Sequence, residues 1–443
     1  MKKEGKNMKK QNSIIILSII LSGLSYNVYA QETRVEHLNV NIEQAIGMAL
    51  QASEFYLMKE NEIEKTDAQY KSTKSVIYPQ INANVEWYRN IQYPSKSSSI
   101  NNYFLDSGVS VDQLIWAFGR VSSAVSAVDK FLNISRLNKE ITEQEVIYNA
   151  KLSYFNVLLA DKIYQILKES YENANENKYI LDEKFASGRP SKRDNIKMKA
   201  DVAARIPLMN DAKSKANSAQ ETFKTLIGLN EEATVDLINE FKKKYIKLKG
   251  DDLKSNLYER EPTLKMLGKD VAMREDFIKI KQAGYYPEIY AFAKWNHKGI
   301  GDKYDIGSDN LENYGLAGLK VSVPLWTGGK TGQDLRIARI DSKNASLKLK
   351  ETKEQLTLEL NNAVSEYHEY IETLNANNDA VNLAEESFKM SRDLFTSGQV
   401  SLADLNDAEL LLTNVRLAEE MTLFNINVTL AKIEKLTLPD KEK

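Results

Sequence analysis

A Gly-Lys-Thr triplet is the first feature of the sequence that could carry chemistry. Gly329-Lys330-Thr331 matches the end of a phosphate-binding loop, in which backbone N–H groups surround phosphate oxygens. Such a loop also needs a Gly five positions before Gly329, where this chain has Pro324. Nucleotide binding is therefore not predicted.

Histidine and cysteine chemistry is equally limited. The three histidines, His37, His297 and His368, are far apart in the sequence and have no companion Ser or Asp arrangement that would make one a general base. The chain has no Cys, which excludes thiol nucleophiles, thiolate zinc sites and disulfides. We therefore predict a protein that is not an enzyme and that has no catalytic residue, cofactor or metal site.

Asp404 and Asp407 form the most informative pair of titratable residues. One interpretation is helix capping, because Ser401 at an N-cap with an acid three residues later forms a capping box. Capping accounts for Asp404, but Asp407 lies beyond the cap. The second interpretation is a functional pair of carboxylates that attracts cations.

The amino-acid composition indicates which kind of secondary structure carries these residues. The 443 residues include only 19 Gly and 8 Pro, which disfavours a loop-rich or ordinary all-β fold and favours long helices. The 60 basic and 62 acidic residues give a formal net charge of -2, without the basic excess of a nucleic-acid-binding protein.

The first thirty residues have the composition of a signal peptide. A Lys-rich segment precedes an apolar run over 14–24, and Val28-Tyr29-Ala30 predicts cleavage after Ala30. The alternative is an uncleaved anchor helix, but this run falls short of the roughly 20 apolar residues that span a bilayer. No later stretch is apolar enough for a membrane helix, so any membrane insertion must use strands.

Three motifs occur twice, in the same order and with nearly the same offset. They indicate a tandem duplication, with repeat 1 over 31–240 and repeat 2 over 241–443. The paired motifs are Tyr78-Pro-Gln-Ile81 with Tyr286-Pro-Glu-Ile289, Trp116-Ala-Phe-Gly-Arg120 with Trp326-Thr-Gly-Gly-Lys330, and the segment Phe185 to Asp194 with the segment Phe395 to Asp404.

Each repeat contains a long span without Gly or Pro. These spans, 120–187 and 333–397, carry apolar residues three and four apart and predict helical rods of about 100 Å. Turns at Gly188 and Gly398 lead into return helices. We place those helices at 191–228 and 401–436, and shorter opening helices at 42–77 and 253–284.

Alternating apolar and polar residues predict one β-hairpin in each repeat, at about 79–113 and about 287–323. The strand length and aromatic ends fit an outer-membrane barrel, but four strands cannot close one. The strand edges must therefore be paired by other copies of the chain.

The duplicated motifs and the opening segment Asn41 to Leu50 resemble the TolC family of outer-membrane efflux proteins, over essentially all of 38–436. The resemblance implies an α+β membrane protein that forms a homotrimer, with a 12-stranded β-barrel in outer-membrane lipid and a periplasmic α-helical barrel. It also implies a passive exit duct of a tripartite efflux or type I secretion system, which docks with a periplasmic adaptor and an inner-membrane transporter. Nucleic acid is not an expected partner.

The resemblance also assigns roles to residues of the two helix turns. Asp404 and Asp407 match acidic positions that ring the periplasmic aperture, while capping stays open as the alternative. We hypothesise that the first-half turn contributes the gate-pairing residues Arg189, Lys192, Arg193, Asp194 and Lys197. The expected adaptor-docking residues are Ser187, Gly188, Arg189, Ser397, Gly398 and Gln399. Val400 stands where the best-known member of the family has an Arg that contributes to the closed state, and Leu114 stands where Pro is common at the first strand exit.

The alternative function is a periplasmic coiled-coil adaptor or structural rod. A rod would explain the long helices, but it would leave the four amphipathic strands without a role. An exported enzyme is a weaker alternative, because the sequence shows no site for it.

Overall fold

The computed structural model describes residues 37–89, 103–186, 192–230, 232–241, 245, 248, 250–301 and 311–438. The helices are α1 Ile42–Ala52, α2 Glu54–Lys74, α3 Arg120–Ala186, α4 Lys192–Leu226, α5 Gly250–Arg260, α6 Pro262–Ala283, α7 Lys330–Ser397 and α8 Leu402–Thr437. The strands are β1 His37–Val40, β2 Gln80–Arg89, β3 Tyr103–Trp116, β4 Thr234–Leu237, β5 Glu288–Gly301 and β6 Leu311–Ser322. The predicted α+β class is confirmed.

Two long helices form the frame of the molecule. Helix α3 has 67 residues and α7 has 68, so each is about 100 Å long. Toward their C-terminal ends they pack against the return helices α4 and α8, and near the sheet they pack against α2 and α6. Among the described residues, no helix combines the length and apolar character needed to cross a membrane.

The four strands β2, β3, β5 and β6 form one antiparallel sheet in that order. Strand β3 pairs with β5, so this seam joins the two predicted hairpins, while β2 and β6 are the edges. One face of the sheet is apolar and open to the surroundings. Ile81 is 70%, Val85 74% and Leu319 71% exposed.

The predicted opening helices are each divided into two. Ser53 ends α1 by donating its N–H to the Ala49 carbonyl, and its hydroxyl accepts from the Tyr56 N–H to begin α2. In the second half Pro262 begins α6, because proline has no N–H to continue a helix and forces the preceding residue toward extended backbone. The continuous helices predicted at 42–77 and 253–284 were therefore wrong in this respect.

A small parallel sheet was not predicted. Strand β1 pairs with β4, with His37 opposite Thr234 and Val40 opposite Leu237. The strands have only four residues each, too few to show a clear alternation of apolar and polar residues in the sequence. This sheet attaches the segment before α1 to the connection between the two halves of the chain.

Both strand exits turn through left-handed backbone before the long helices begin. Phe118 and Gly119 have φ of 47° and 83°, and Gly328 and Gly329 have φ of 63° and 84°. Glycine adopts this conformation without a steric penalty. The Phe118 ring stacks on Tyr286 at a centroid distance of 5.1 Å, a contact that helps to hold Phe118 in its unfavourable conformation.

Candidate functional site

The turn between α7 and α8 is built on a glycine. Gly398 has φ of 81°, and its N–H bonds back to the carbonyl oxygens of Leu394 and Phe395. No atom lies within 4 Å of where a Cβ would stand, so the backbone conformation alone favours glycine here. Gln399 donates its N–H to the Leu394 carbonyl at 2.8 Å and completes the turn. The turn thus presents Ser397, Gly398 and Gln399 at the end of the helical pair.

Asp404 has the capping contacts that the sequence predicts. Its N–H donates to Ser401 Oγ at 3.3 Å, and its Oδ2 accepts from the Ser401 N–H at 3.0 Å. The Ser401 hydroxyl also donates to Asp404 Oδ2, at 2.7 Å. These hydrogen bonds, first from the side chain and then from the backbone of Ser401, lower the pKa of Asp404 below its ordinary value. Asp404 is therefore an exposed carboxylate that stays ionised to lower pH than an unbonded aspartate.

Asp407 lies one turn further along α8 and is also exposed. Within the described part of the chain, its side chain has no hydrogen bond or ion pair that could explain its position as capping. The spacing of three residues places it on the same side of the helix as Asp404. The two carboxylates therefore stand together on the exposed side of the first turns of α8.

The first-half turn is only partly described. Ser187, Gly188 and Arg189 lie outside the described residues, as do Ala30 and the whole predicted signal peptide. Lys192, Arg193 and Lys197 are exposed at the start of α4. In the described part of one chain, none of these three forms an ion pair with Asp404 or Asp407. Asp194 is half-buried in the first turn of α4. The gate-pairing hypothesis thus stays a prediction.

Sequence reasoning missed a buried charged cluster just behind the two aspartates. Glu409 is 1% exposed, and its Oε1 accepts from Arg205 Nη1 at 2.5 Å. Arg205 also donates to the hydroxyl of Ser170 at 2.7 Å and to Asp201 at 3.1 Å. This cluster joins α3, α4 and α8. Its sequence signal was a single acid, Glu409, within the apolar run of α8.

Burial determines the protonation behaviour of Glu409. Loss of water around the carboxyl raises its pKa, and the Arg205 guanidinium acts in the opposite direction. The second carboxyl oxygen, Oε2, is buried without a hydrogen-bond partner in the described structure. A buried carboxylate of this kind depends on its one cation, so Arg205 fixes the helix that carries Asp404 and Asp407 against the first helical pair.

Further ion pairs nearby join α7 to α3 and α8. Arg416 on α8 donates to Glu169 on α3 at 2.9 Å and to Glu385 on α7 at 2.7 Å. Arg392 on α7 lies 2.6 Å from Glu176 on α3. Helices α3, α4, α7 and α8 also share an apolar core. Its buried members are Ala174, Leu181, Met198, Val202, Ala384, Phe388, Phe395, Leu402, Leu405, Ala408 and Leu412.

The repeated motifs of the two halves meet where the sheet joins the helices. Arg120 at the start of α3 pairs with Glu288 at the start of β5. Tyr290 donates its hydroxyl to the other oxygen of Glu288 at 2.6 Å. The duplicated residues therefore form structural contacts between the halves of the chain, rather than a catalytic arrangement.

The remaining chemical candidates do not come together. Gly329-Lys330-Thr331 begins α7, and the Thr331 hydroxyl lies 3.0 Å from that of Thr327. Among the described residues, no group of three or more His, Asp or Glu side chains could hold a metal ion.

Comparison with known proteins gives one family match, to part of the chain. Residues 253–437 match the model of the family described as outer membrane efflux protein. No curated protein matches the chain by sequence.

Solved structures share the fold along most of the chain. The outer-membrane channel OprN is 17% identical with a TM-score of 0.80, and the similarity covers 89% of each chain. The CmeC outer membrane channel of Campylobacter jejuni is 16% identical with a TM-score of 0.79, over 89% of this chain and 85% of that one. The outer membrane protein VceC of Vibrio cholerae is 16% identical with a TM-score of 0.78, over 89% and 96%. Residues 253–437 are therefore similar to the outer membrane efflux protein family, and the fold of the solved outer-membrane channels extends over most of the chain.

Proposed function

We propose that three copies of the chain assemble into a passive outer-membrane exit duct. The observation that carries this proposal is the pair of unpaired sheet edges, β2 and β6, beside an apolar face. A strand edge in lipid leaves backbone N–H and C=O groups without partners, at a cost of several kcal/mol for each group. Pairing β2 of one chain with β6 of the next satisfies both edges, and three sheets of four strands give a 12-stranded barrel.

The helices extend this barrel into the periplasm. At about 100 Å, α3 and α7 are far longer than the strands, and in three copies they would enclose a tunnel. Gly329-Lys330-Thr331 lacks the first Gly of a phosphate-binding loop, because Pro324 occupies that position. Energy for export would come from an inner-membrane transporter, reached through a periplasmic adaptor, in a tripartite efflux or type I secretion system.

The far end of the helices would be both the aperture and the docking surface. Three-fold symmetry would bring Asp404 and Asp407 together as six carboxylates around the axis, facing the basic side chains at the start of α4. The two helix turns, which include Ser397, Gly398 and Gln399, would contact the adaptor. In this proposal residues 1–30 are an export signal that is cleaved after Ala30, and repeats 31–240 and 241–443 derive from one duplicated unit.

The second candidate is a periplasmic adaptor or rod, which the long helical pairs alone would allow. The sheet argues against it, because a protein in water has no reason to expose Ile81, Val85 and Leu319 on one face.

Gel migration of the outer-membrane fraction separates the two functions. A barrel trimer survives mild detergent as a fast-migrating or high-mass band and collapses to the chain mass on boiling. A periplasmic rod would be found in the soluble fraction and would migrate identically before and after heating, and that result would reject the duct.

A further inference from the structure

All the acids and lysines of the large sheet lie on one face. Every Asp, Glu and Lys of its four strands occupies an even-numbered position, and Arg89 at the end of β2 is the one charged Arg of these strands on the other face. The registers of all three seams pair even with even positions, except for Trp116 opposite Ile289 beyond the register shift in β3. The odd-numbered face is the apolar one. In the proposed duct, the charged face lines the water-filled interior, and the inference below rests on that function.

The two signs are separated between the hairpins. Strands β2 and β3 carry acids alone on this face, which we name the acidic sector: Glu86, Asp106 and Asp112. Strands β5 and β6 carry the basic sector: Lys294, Lys298 and Lys320. Two acids accompany the basic sector, namely Glu288, which pairs with Arg120, and Glu312, which stands opposite Lys298.

The sectors meet at the seam between β3 and β5 without neutralising each other. Asp106 is directly opposite Lys298, and Ser110 is opposite Lys294, but no ion pair joins Asp106 or Asp112 to either lysine in the described structure. Asn296 explains this for Asp106, because its Nδ2 donates to Asp106 Oδ1 at 2.7 Å. A Cβ at Gly108 would lie 2.5 Å from Asn296 Oδ1, so the glycine gives this side chain the room to reach Asp106.

Two carboxylates of the acidic sector also face each other. Glu86 stands directly opposite Asp106 on the neighbouring strand, and like charges in this position repel each other. An ammonium group beside these two carboxylates would relieve the repulsion. One strand away, Lys294 and Lys298 would accept an anionic group.

We propose that the β3–β5 seam is a recognition strip for zwitterionic solutes. Glu86 and Asp106 bind the cationic end, and Lys294 and Lys298 bind the anionic end. Residues on neighbouring strands are about 5 Å apart when directly opposite and about 7 to 8 Å apart diagonally, which sets the charge separation of a fitting solute.

Single-channel recording with three probes tests the strip. The probes are ε-aminocaproate, which carries both charges, and the singly charged caproate and hexylammonium ions. In the wild-type channel, ε-aminocaproate should reduce the mean current at a concentration about 3- to 10-fold lower than either singly charged probe, since each exposed charge contact is worth up to about fivefold.

Three variants identify the residues responsible. E86Q/D106N should shift the reversal potential toward anions, K294Q/K298Q should shift it toward cations, and both should lose the preference for ε-aminocaproate. The quadruple variant removes equal numbers of each sign, so it should keep the wild-type reversal potential and still lose the preference. Equal block by all three probes in wild type, or an unchanged preference in the quadruple variant, would overturn the strip. Absence of any conductance from wild type would instead count against the duct itself.

Discussion

Asp404 caps α8, and we also propose that it contributes to the aperture. A test must therefore separate the effect of its charge from the effect of capping. An Asn at this position still accepts the Ser401 N–H but carries no charge. D404N/D407N should therefore keep the turn folded while lowering the permeability of K⁺ relative to Cl⁻ and weakening block by divalent cations. Bilayer conductance measures both quantities. D404A/D407A is the comparison, and a selectivity unchanged in both variants would leave Asp404 with the capping role alone.

The lowered pKa of Asp404 predicts how cation selectivity should depend on pH. Because its pKa is lowered by Ser401, the stabilisation from charged Asp404 is complete above the ordinary value of 3.8 and is lost as pH falls through the lowered pKa. Cation selectivity that depends on Asp404 should persist to the same low pH.

Glu409 and Arg205 give a second test at the scale of single residues. Arg205→Met leaves a buried carboxylate without its cation and should lower the free energy of unfolding by about 3–5 kcal/mol. R205M/E409M replaces both charges with apolar groups and should recover most of the loss. Lys215→Met on the same helix removes an exposed lysine and should change stability by less than about 0.5 kcal/mol. Thermal unfolding followed by circular dichroism makes the comparison.

The pH dependence of Glu409 has the opposite sign to that of Asp404. Its pKa is raised by burial, so its contribution to stability is fully present below the ordinary value of 4.5 and declines as pH rises through the raised pKa. Glu409→Gln should remove this pH dependence. A stability of R205M equal to that of wild type would show that the pair does not hold α8 to α4.

Strand β2 offers neighbouring residues on opposite faces of the sheet. Val85 lies on the apolar face and Asn84 on the charged face. Val85→Arg places a cation in lipid and should cost about 2–4 kcal/mol per chain near the bilayer midplane, whereas Asn84→Arg enters water. We expect heat-modifiable trimers from N84R and little or none from V85R. Equal insertion of both variants would mean that this face does not contact lipid.

The α7–α8 turn can be enlarged without disturbing Gly398. Ser397→Trp and Gln399→Trp should reduce efflux to the level of cells that lack the protein, because a large side chain would block approach of the adaptor. Trimer formation and insertion should stay normal. Lys343→Trp, at an exposed position of α7 far from the turn, should leave efflux unchanged. Normal drug or dye accumulation in both turn variants would remove Ser397 and Gln399 from the docking surface.

Among the elements, those with long periodic sequence were predictable and those that depend on a single residue were not. Spans without Gly and Pro predicted the bounds of α3 and α7 to within a few residues. The alternation of apolar and polar residues predicted the four strands of the large sheet. The breaks at Ser53 and Pro262 depend on local caps that interrupt an otherwise continuous helical pattern. Capping at Asp404 was also readable, because its partner Ser401 is three residues away. The Glu409–Arg205 pair was not, since its partners are far apart in sequence and meet only in the folded chain.

In a single copy of the described structure, the edge strands β2 and β6 have no further strand to pair with. In the proposed duct, lipid covers the apolar face between β2 and β6 and other copies of the chain pair with these edges, while the far end of the long helices docks with a partner. The order β2, β3, β5, β6 makes this closure possible, because the two edge strands belong to opposite halves of the chain and can pair head to tail around an axis.

Cross-linking in intact cells measures whether three copies of the chain assemble in the outer membrane. With an amine-reactive reagent, we expect a ladder that ends at three chains in the outer-membrane fraction. Without the reagent, the complex should be reduced to a single chain only on boiling. Because the chain has no Cys, the same experiment can be repeated with single cysteines introduced at the β2 and β6 edges, where disulfides should form only between chains. A soluble single chain in the periplasm, without cross-linked species, would show that the protein is not a trimeric outer-membrane duct.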